Sequence, residues 1–187
     1  STFPYSLKDF LLEGTQQVSA SWITLENLSF PYCISINSSY IYEQSTDERI
    51  NQNDAAITLA HELGHYLGLR HVFSEGGTTS MCTDTDYCKD TPSYNRSEYE
   101  QWLNNLDKQK KYQLKDLAKR YSCEKGEYEA HNIMDYAYCF YNEITLEQRK
   151  RIRHILNYSP LIPGPKESRI DTRGVQDRLN LPICIMK

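Results

Sequence analysis

The sequence HELGHYLGLRH, residues 61–71, places three of the chain's five histidines close together. Apolar residues recur around it at one-sided helical spacing, which predicts a helix from about 54 to 68. On such a helix His61 and His65 lie one turn apart on the same face. Gly68 is expected to end the helix, because glycine tolerates the left-handed conformation that is common at helix C-termini.

This spacing predicts a catalytic zinc site. Two imidazoles one turn apart can share a zinc ion, and a catalytic zinc usually has three protein ligands and one open position. After the turn at Gly68 the chain can bring His71 back as the third ligand to join His61 and His65. Glu62 can then act as general base on the metal-activated water, whose pKa zinc lowers to about 7. The alternative, a packed helix that happens to contain histidines, is disfavoured because five positions of the pattern match.

The same pattern, HExxHxxGxxH, resembles the signature of the metzincin zinc proteases, which also contain a tight turn built around a methionine. The sequence NIMDY, at about 132–136, supplies such a turn and is called the Met-turn below. The resemblance implies that Met134 forms a hydrophobic base under the metal and that Tyr136 hydrogen-bonds the tetrahedral intermediate. A phenol can donate to a developing oxyanion. Simple packing is the alternative for Tyr136, because the chain has 15 tyrosines.

Further positions resemble the pappalysin-like branch of the metzincins over roughly residues 54–156. In chain order they are HVF at 71–73, Cys82, DTP at 90–92, NIMDY at 132–136, Cys139 and the pair Gln148 and Arg149. Two features depart from that branch. The segment 93–123 is longer and more helical than the branch leads us to expect, and Cys88 stands where an aliphatic residue is usual. We expect Asp135 to stabilise the Met-turn rather than to take part in the chemistry.

The resemblance implies an α+β fold, with a small twisted mixed sheet and the active-site helix followed by a mostly irregular and helical C-terminal subdomain. The catalytic domain is expected to span residues 1–158. Residues 159–187 contain four prolines and predict an extended tail. About 60 residues precede His61, which is room for only part of the usual upstream sheet. We therefore expect a trimmed N-terminus, or upstream strands outside this sequence.

Local patterns in the N-terminal half predict a helix and strands. The first 20 residues have the spacing of a short amphipathic helix. Residues 33–36 and 40–42 alternate in polarity as strands do. Asn53 or Asp54 can cap the zinc helix, because either side chain accepts hydrogen bonds from the first turn.

Local patterns in the C-terminal half predict mainly helices. Residues 74–95 are rich in Gly, Ser, Thr and Asp and are expected to be irregular. Residues 97–121 predict a helix whose polar middle can divide it in two. Thr145 and Gln148 fit a capping box, which predicts a helix running to about Tyr158.

Six cysteines and several loop aspartates leave alternatives open. An even number of widely spaced cysteines favours disulfides over free thiols or metal ligands, and no CxxC pair occurs. Of the possible pairings, Cys82 with Cys123 is our first expectation. Members of the branch often hold structural calcium near the DTP loop. The oxygen ligands for it are expected to be Asp84, Asp86 and Asp90. The alternative is that these aspartates are solvated turn formers.

Composition narrows the possible partners and compartments. The net charge is −4 and the basic residues form no stripe, so nucleic-acid binding is not expected. No apolar run approaches the roughly 18 residues that a membrane span needs. The N-terminus lacks a signal-peptide pattern, so we interpret the chain as mature or trimmed. The cysteines and the resemblance together predict a secreted, periplasmic or cell-surface protein.

The function predicted from these residues is a zinc-dependent endopeptidase acting on protein or peptide substrates. Residues 137–142, just after the Met-turn, are expected to line the pocket for the side chain beyond the cleaved bond. Two alternatives stay open: a zinc amidase for small or cell-wall peptides, and a catalytically silent binding module that retains zinc. The sequence does not indicate an oligomeric state.

Overall fold

A computed structural model describes residues 3–24, 26–28, 32–39, 54–74, 84–122 and 124–162. Within these ranges four helices and four short strands follow one another as β1 (Tyr5–Leu7), β2 (Gln16–Val18), α1 (Ala55–Tyr66), α2 (Arg96–Asn104), α3 (Leu114–Leu117), β3 (Lys119–Ser122), β4 (Gly126–Glu129) and α4 (Leu146–Tyr158). Strands β1 and β2 pair in parallel, and β3 and β4 pair antiparallel. The predicted α+β class is confirmed, with two separate two-stranded sheets in the described part of the chain.

The N-terminal segment is not the helix that its apolar spacing predicted. It forms the strands β1 and β2, which are separated by a 3₁₀ turn (Lys8–Phe10) and a loop. Gly14 turns this loop with a φ of +79°, and the hydroxyls of Ser6 and Thr15 bond across it at 2.6 Å. The helix prediction was wrong because these polar contacts within the loop favour the strand pair over a continuous helix. Residues 33–36 are not in a strand either, and 40–42 lie outside the described residues.

Helix α1 is the predicted zinc helix. The carboxylate of Asp54 caps it by accepting hydrogen bonds from the amides of Ala56 (2.8 Å) and Ile57 (3.2 Å). Gly68 follows the helix with a φ of +87°, and the next amide, that of Leu69, donates back to the carbonyl of Gly64 at 2.9 Å. The predicted glycine stop is therefore confirmed, and it reverses the chain directly after α1.

Helix α4 begins with the predicted capping box. The hydroxyl of Thr145 accepts a hydrogen bond from the backbone amide of Gln148. In return, the side-chain oxygen of Gln148 accepts one from the backbone amide of Thr145. Further along α4, the buried Arg151 donates two hydrogen bonds to the carbonyl of Gly68, at 3.1 and 3.2 Å, and one to the carbonyl of Glu13 at 3.0 Å. Arg151 therefore fixes α4 against both the turn after α1 and the N-terminal loop.

The segment predicted as a helix from 97 to 121 is only partly helical. It contains α2, the single turn α3 and then β3, which forms a hairpin with β4. The polar residues after α2 do break the helix, as their composition suggested. The hairpin was missed because its signal is weak: Arg120 and Ser122 are buried, whereas the apolar Tyr121 between them is 72% exposed.

Among the described residues, two clusters of buried side chains form the core. The first joins the residues after α1 to the Met-turn and to α2, and consists of Leu69, Val72, Phe73, Tyr94, Tyr99 and Met134. The second lies around α4 and consists of Tyr32, Ile155, Leu161 and Ile162. Most of the predicted C-terminal tail, residues 163–187, lies outside the described residues.

Gly68→Ala should destabilise the fold because the position has neither the conformation nor the space for a side chain. A Cβ there would lie 2.7 Å from Cγ1 of the buried Ile155. The strain of a positive φ and the crowding together predict a loss of about 2–4 kcal/mol. Urea unfolding of the metal-free protein measures this loss.

Gly126→Ala is the matched control, because Gly126 also has a positive φ, +77°, but a Cβ there would have nothing within 4 Å. It should lose only about 1–2 kcal/mol, the cost of the conformation. Equal losses at the two positions would show that Ile155 does not crowd Gly68.

Candidate metal centre

The three histidines of the motif converge on one point. Nε2 of His71 lies 3.2 Å from Nε2 of His61 and 3.0 Å from Nε2 of His65. Helix α1 positions the first two rings, and the reversal at Gly68 brings back the third. The nitrogens of a tetrahedral zinc site with bonds of about 2.0–2.1 Å would lie about 3.3 Å apart, close to the spacing observed. Within the described ranges this triad is the only cluster of potential metal ligands.

Backbone carbonyls orient two of the three rings. Nδ1 of His61 lies 2.7 Å from the carbonyl of Ile133, and Nδ1 of His65 lies 2.8 Å from the carbonyl of Leu69. A carbonyl can only accept, so each Nδ1 carries the proton and each Nε2 presents a lone pair to the centre. Lone pairs facing one another at this distance repel unless a cation lies between them. The donor set therefore fits a metal ion that prefers imidazole ligands.

Burial favours the neutral form, which metal binding requires, for two of the rings, His61 and His71. It lowers the pKa of His61 below its ordinary value. It also lowers the pKa of His71 to about 2, with further contributions from the neighbouring His65, His61 and Arg96. Neutral imidazole is the ligand form of histidine, so His61 and His71 do not have to release protons before they bind a cation.

The Met-turn packs against both α1 and the triad. Met134 is fully buried, and the carbonyl of this residue accepts from the amide of Val72 at 3.3 Å. The Met134 side chain occupies the gap beside Gly64, where an added Cβ would lie 2.4 Å from Sδ. Sequence reasoning did not assign a role to Gly64. The signal was present, because a glycine inside a helix is destabilising and needs a reason such as close packing.

Tyr136 lies beside the histidines. Its ring centroid is 4.4 Å from that of His71 and 5.1 Å from that of His61. The guanidinium of Arg96 lies over the same phenol ring, 4.7 Å from the centroid. The residue is half-buried, so it packs against the centre and still reaches the cavity there.

A cavity of about 390 Å³ opens beside the triad. Helices α1 and α2, Tyr94 before α2, the Met-turn and residues after the turn form its walls. The lining residues are Ile57, Thr58, His61, Glu62, Tyr94, Arg96, Tyr99, Glu100, Asp135, Tyr136, Ala137 and Tyr141. Glu62 therefore shares the cavity with His61 and Tyr136. A substrate group of the size of an amino-acid side chain can enter next to all three.

Helix α4 holds the start of the Met-turn through a pair of buried amides. Asn132 Nδ2 donates to Gln148 Oε1 at 2.8 Å, and Gln148 Nε2 donates to Asn132 Oδ1 at 3.0 Å. The same Asn132 oxygen accepts from the amide of Met134 at 2.9 Å. Gln148 thus links the capping box of α4 to the turn, whereas its neighbour Arg149 is exposed and bonds to Thr145.

A buried ion pair holds the end of the Met-turn. Asp135 Oδ2 lies 3.4 Å from Nε of Arg120, and both side chains are almost completely buried. Burial disfavours the charged form of Arg120, but Asp135 and the neighbouring tyrosines outweigh it and raise the pKa of Arg120. Burial also raises the pKa of Asp135, although Arg120 and Tyr94 act against it. The prediction that Asp135 stabilises the turn agrees with these contacts; the sequence did not reveal Arg120 as its partner.

The aspartates expected to bind calcium are engaged in turns and a helix cap. Asp84 accepts from the amide of Asp86, which is buried and accepts from the amide of Cys88 and the hydroxyl of Thr91. Asp90 Oδ2 accepts from the amide of Glu147 at the start of α4. These contacts favour the turn-forming alternative, and calcium binding stays a prediction.

The cysteines that can be described include two free thiols. Cys88 and Cys139 are buried and free, so the prediction that the cysteines pair was wrong for these two. Burial raises the pKa of each thiol to about 12, which keeps both protonated and unreactive. Cys82 and Cys123, the expected pair, lie outside the described residues.

The chain is similar to known metallopeptidases. The family model described as Pregnancy-associated plasma protein-A matches residues 18–157. The extracellular metalloproteases of Arthroderma benhamiae and Trichophyton verrucosum are each 37% identical over 108 residues, which cover 56% of this chain and 32% of the relative. That of Arthroderma otae shows the same identity over 33% of its length. The match thus spans about a third of these relatives, and no solved structure matches the chain.

Over the described residues, no helix combines the length and the apolar character needed to cross a bilayer.

His71→Ala should weaken metal binding, because it removes one of the three nitrogens that converge on the centre. We expect the dissociation constant for Zn²⁺, measured by competition with a chromophoric chelator, to rise by about 100-fold or more. His131→Ala is the matched control, because the His131 side chain lies outside the triad and contacts Asn142. Equal affinities for the two variants would remove His71 from the ligand set.

Arg120→Met should destabilise the protein more at pH 8 than at pH 5. Without the guanidinium, the pKa of the buried Asp135 rises further above its ordinary value. A carboxyl whose pKa is raised in the folded state costs stability as the pH increases from the ordinary aspartate value through the raised one. Urea unfolding at the two pH values measures the difference, and the double variant Arg120→Met/Asp135→Asn should abolish it. A loss that is the same at both pH values would contradict this assignment.

Proposed function

The chain belongs to the pregnancy-associated plasma protein-A family of metallopeptidases, and from this premise we propose that it is a zinc-dependent endopeptidase. The observation that carries the proposal is the convergence of three imidazole nitrogens, His71 Nε2 lying 3.0 and 3.2 Å from the other two, next to a cavity that Glu62 lines. A metal site with three protein ligands keeps a position open for catalysis, whereas structural zinc sites are closed by four.

The proposed metal is zinc, held by His61, His65 and His71. When bound, zinc supplies Lewis acidity and makes hydroxide available near neutral pH. The Nδ1 contacts of His61 and His65 with backbone carbonyls and the spacing of the three Nε2 atoms support this assignment. Met134 closes the site on the side of α1, because its buried thioether fills the space beside Gly64.

Glu62 is the proposed general base. It follows His61 on α1 and lines the same cavity, so it lies next to the centre without belonging to the nitrogen cluster. In this role its carboxylate takes a proton from the attacking water and passes it to the leaving amine, which balances the hydrolysis of the peptide bond. A carboxylate is needed at this position, because an amide cannot accept and return the proton.

Tyr136 is proposed to stabilise the oxyanion of the tetrahedral intermediate. Its ring lies against His61 and His71 and reaches the cavity from the Met-turn. A phenolic hydroxyl is protonated near neutral pH and can donate to a developing negative charge. The packing of Tyr136 and this role are compatible, since the ring lies against His61 and His71 and still lines the cavity.

The cavity is proposed to bind the side chain that follows the cleaved bond in a protein or peptide substrate. Ala137 and Tyr141, two of the residues expected to line this pocket, lie in its wall. Four tyrosines surround it, and Arg96 is paired with Glu100 at 2.6 Å, so the two charges in this part of the wall compensate each other.

The proposal also covers the localisation of the protein and the alternative amidase activity. The relatives are named extracellular metalloproteases, which supports a secreted protein. An amidase for small or cell-wall peptides would use the same centre, and comparison of a folded or denatured protein substrate with short peptides distinguishes the two activities.

Glu62→Gln should abolish peptide hydrolysis while leaving metal binding intact. We expect the rate on an unfolded protein substrate to fall by about 10²–10⁴-fold, the contribution typical of a general base. The zinc content of both proteins should stay near one ion per chain. Glu124→Gln, on the exposed loop between β3 and β4, is the matched control.

The comparison also tests the binding-module alternative. If the wild-type protein retains zinc but cleaves no faster than Glu62→Gln, the proposed activity is wrong and the site only binds the metal.

A further inference from the structure

Arg120 reaches the Met-turn from β3, a part of the chain that the zinc motif does not predict. Its side chain is completely buried, and its guanidinium stacks on Tyr99, 3.6 Å from the ring centroid. Nη1 donates to the carbonyls of Leu117 and Lys119, which fixes the guanidinium to its own hairpin. The remaining groups of the guanidinium face the Met-turn.

These groups hold the backbone on both sides of a strained residue. Nη2 of Arg120 donates to the carbonyl of Tyr136 at 3.2 Å and to that of Tyr138 at 3.1 Å. Between them lies Ala137, which has a φ of +57° although it is not glycine. Such a conformation costs about 1–2 kcal/mol and persists where the surrounding contacts fix it. Arg120 supplies two of those contacts.

Asp135 fixes the amide of Tyr136. Its Oδ1 accepts from that amide at 2.7 Å and also from the hydroxyl of Tyr94. Burial raises the pKa of Tyr94, so its hydroxyl stays protonated as a donor. The amide and the carbonyl of Tyr136 are therefore both held, one by Asp135 and the other by Arg120, and the two side chains form an ion pair.

Stability alone is a weak reason for such a pair. A buried ion pair often contributes no more to stability than apolar side chains of the same volume. What the pair does provide is direction, because the planar guanidinium donates at fixed angles that a lysine ammonium cannot reproduce. The group it directs is Tyr136, whose ring lies beside His61 and His71.

We infer that Arg120 is a positioning residue for Tyr136: with Asp135 it fixes the backbone around Ala137 so that the phenol faces the metal centre. The inference rests on the proposed function, because it assigns to Arg120 an effect on the oxyanion donor. It also gives the segment 93–123 a role, since this segment carries the guanidinium that completes the site.

A double-mutant cycle with Arg120→Met and Tyr136→Phe tests the inference. If Arg120 acts through the Tyr136 hydroxyl, Arg120→Met should lower kcat by about tenfold in the wild-type background and by less than about twofold in the Tyr136→Phe background. KM should change little, because the ground state does not use the oxyanion donor. Rates are expressed per zinc-loaded chain, so that loss of folded protein does not count as loss of kcat.

Arg151→Met is the matched control. Arg151 is also a buried arginine that donates to two carbonyls, but those carbonyls belong to Gly68 and Glu13. Whatever its effect on kcat, it should be the same in both backgrounds. If Arg120→Met also lowers kcat by the same factor in both backgrounds, Arg120 is structural and the inference is wrong.

Hydrogen exchange of the metal-free protein gives a second measurement that does not depend on activity. The amides of a peptide spanning residues 133–141 should exchange faster in Arg120→Met than in wild type, and by a larger factor than in Arg151→Met, whose lost bonds do not involve these residues. Unchanged exchange in Arg120→Met would overturn the inference. If that variant does not fold, Tyr94→Phe replaces it in the cycle and in the exchange measurement, because it removes one bond to Asp135 and retains the ring.

The two proposals fail in different ways. A wild-type protein that cleaves no faster than Glu62→Gln contradicts the endopeptidase activity, whatever hydrogen exchange shows. A protein that cleaves normally but shows no coupling between Arg120 and Tyr136 contradicts the positioning role alone.

Discussion

The arrangement depends on one geometric constraint: a helix can supply two imidazoles to a single cation, and the third has to come from outside it. The chain satisfies this constraint by reversing at Gly68, where φ is +87°. The reversal has consequences for the residues around it. It places the Gly68 carbonyl where Arg151 of α4 can donate to it, and it leaves no room for a side chain beside Ile155. Helix α4, remote in sequence, is thus tied to the return of His71.

The same reversal sets the position of the Met-turn. The carbonyl of Ile133 receives Nδ1 of His61, and the carbonyl of Met134 receives the amide of Val72, directly after His71. The turn therefore touches both the helical and the returning part of the triad. Gly64 allows this approach, because any side chain there would meet Met134 Sδ. The two glycines of the motif thus have separate roles: Gly68 allows the chain to reverse, and Gly64 allows Met134 to pack closely against α1.

Sequence was sufficient where the signal is local. The cap at Asp54 and the stop at Gly68 each depend on residues a few positions apart, and both were predicted. The parallel pairing of β1 with β2 was missed because it depends on a polar loop rather than on apolar periodicity. In the candidate site, the resemblance located the Met-turn but not the residues that hold it. Arg120 lies 15 residues before Asp135, and in the sequence it cannot be distinguished from the other charged residues of a polar hairpin. Strand β3 also inverts the usual alternation by burying the arginine and exposing Tyr121.

Tyr136, the proposed oxyanion donor, is held through its backbone as well as through its ring. The ring lies against His61, His71 and Arg96 and still lines the cavity, where the phenol can meet a substrate in the role proposed for it. Asp135 and Arg120 fix the amide and the carbonyl of this residue. Gln148 bonds to Asn132 at the start of the turn, and Arg120 bonds to the backbone just after Tyr136. Contacts from two distant parts of the chain therefore hold the strained Ala137. A donor that is preorganised in this way can stabilise a developing negative charge without first rearranging. Stabilisation of the transition state by fixed dipoles is usually the largest single contribution to catalysis.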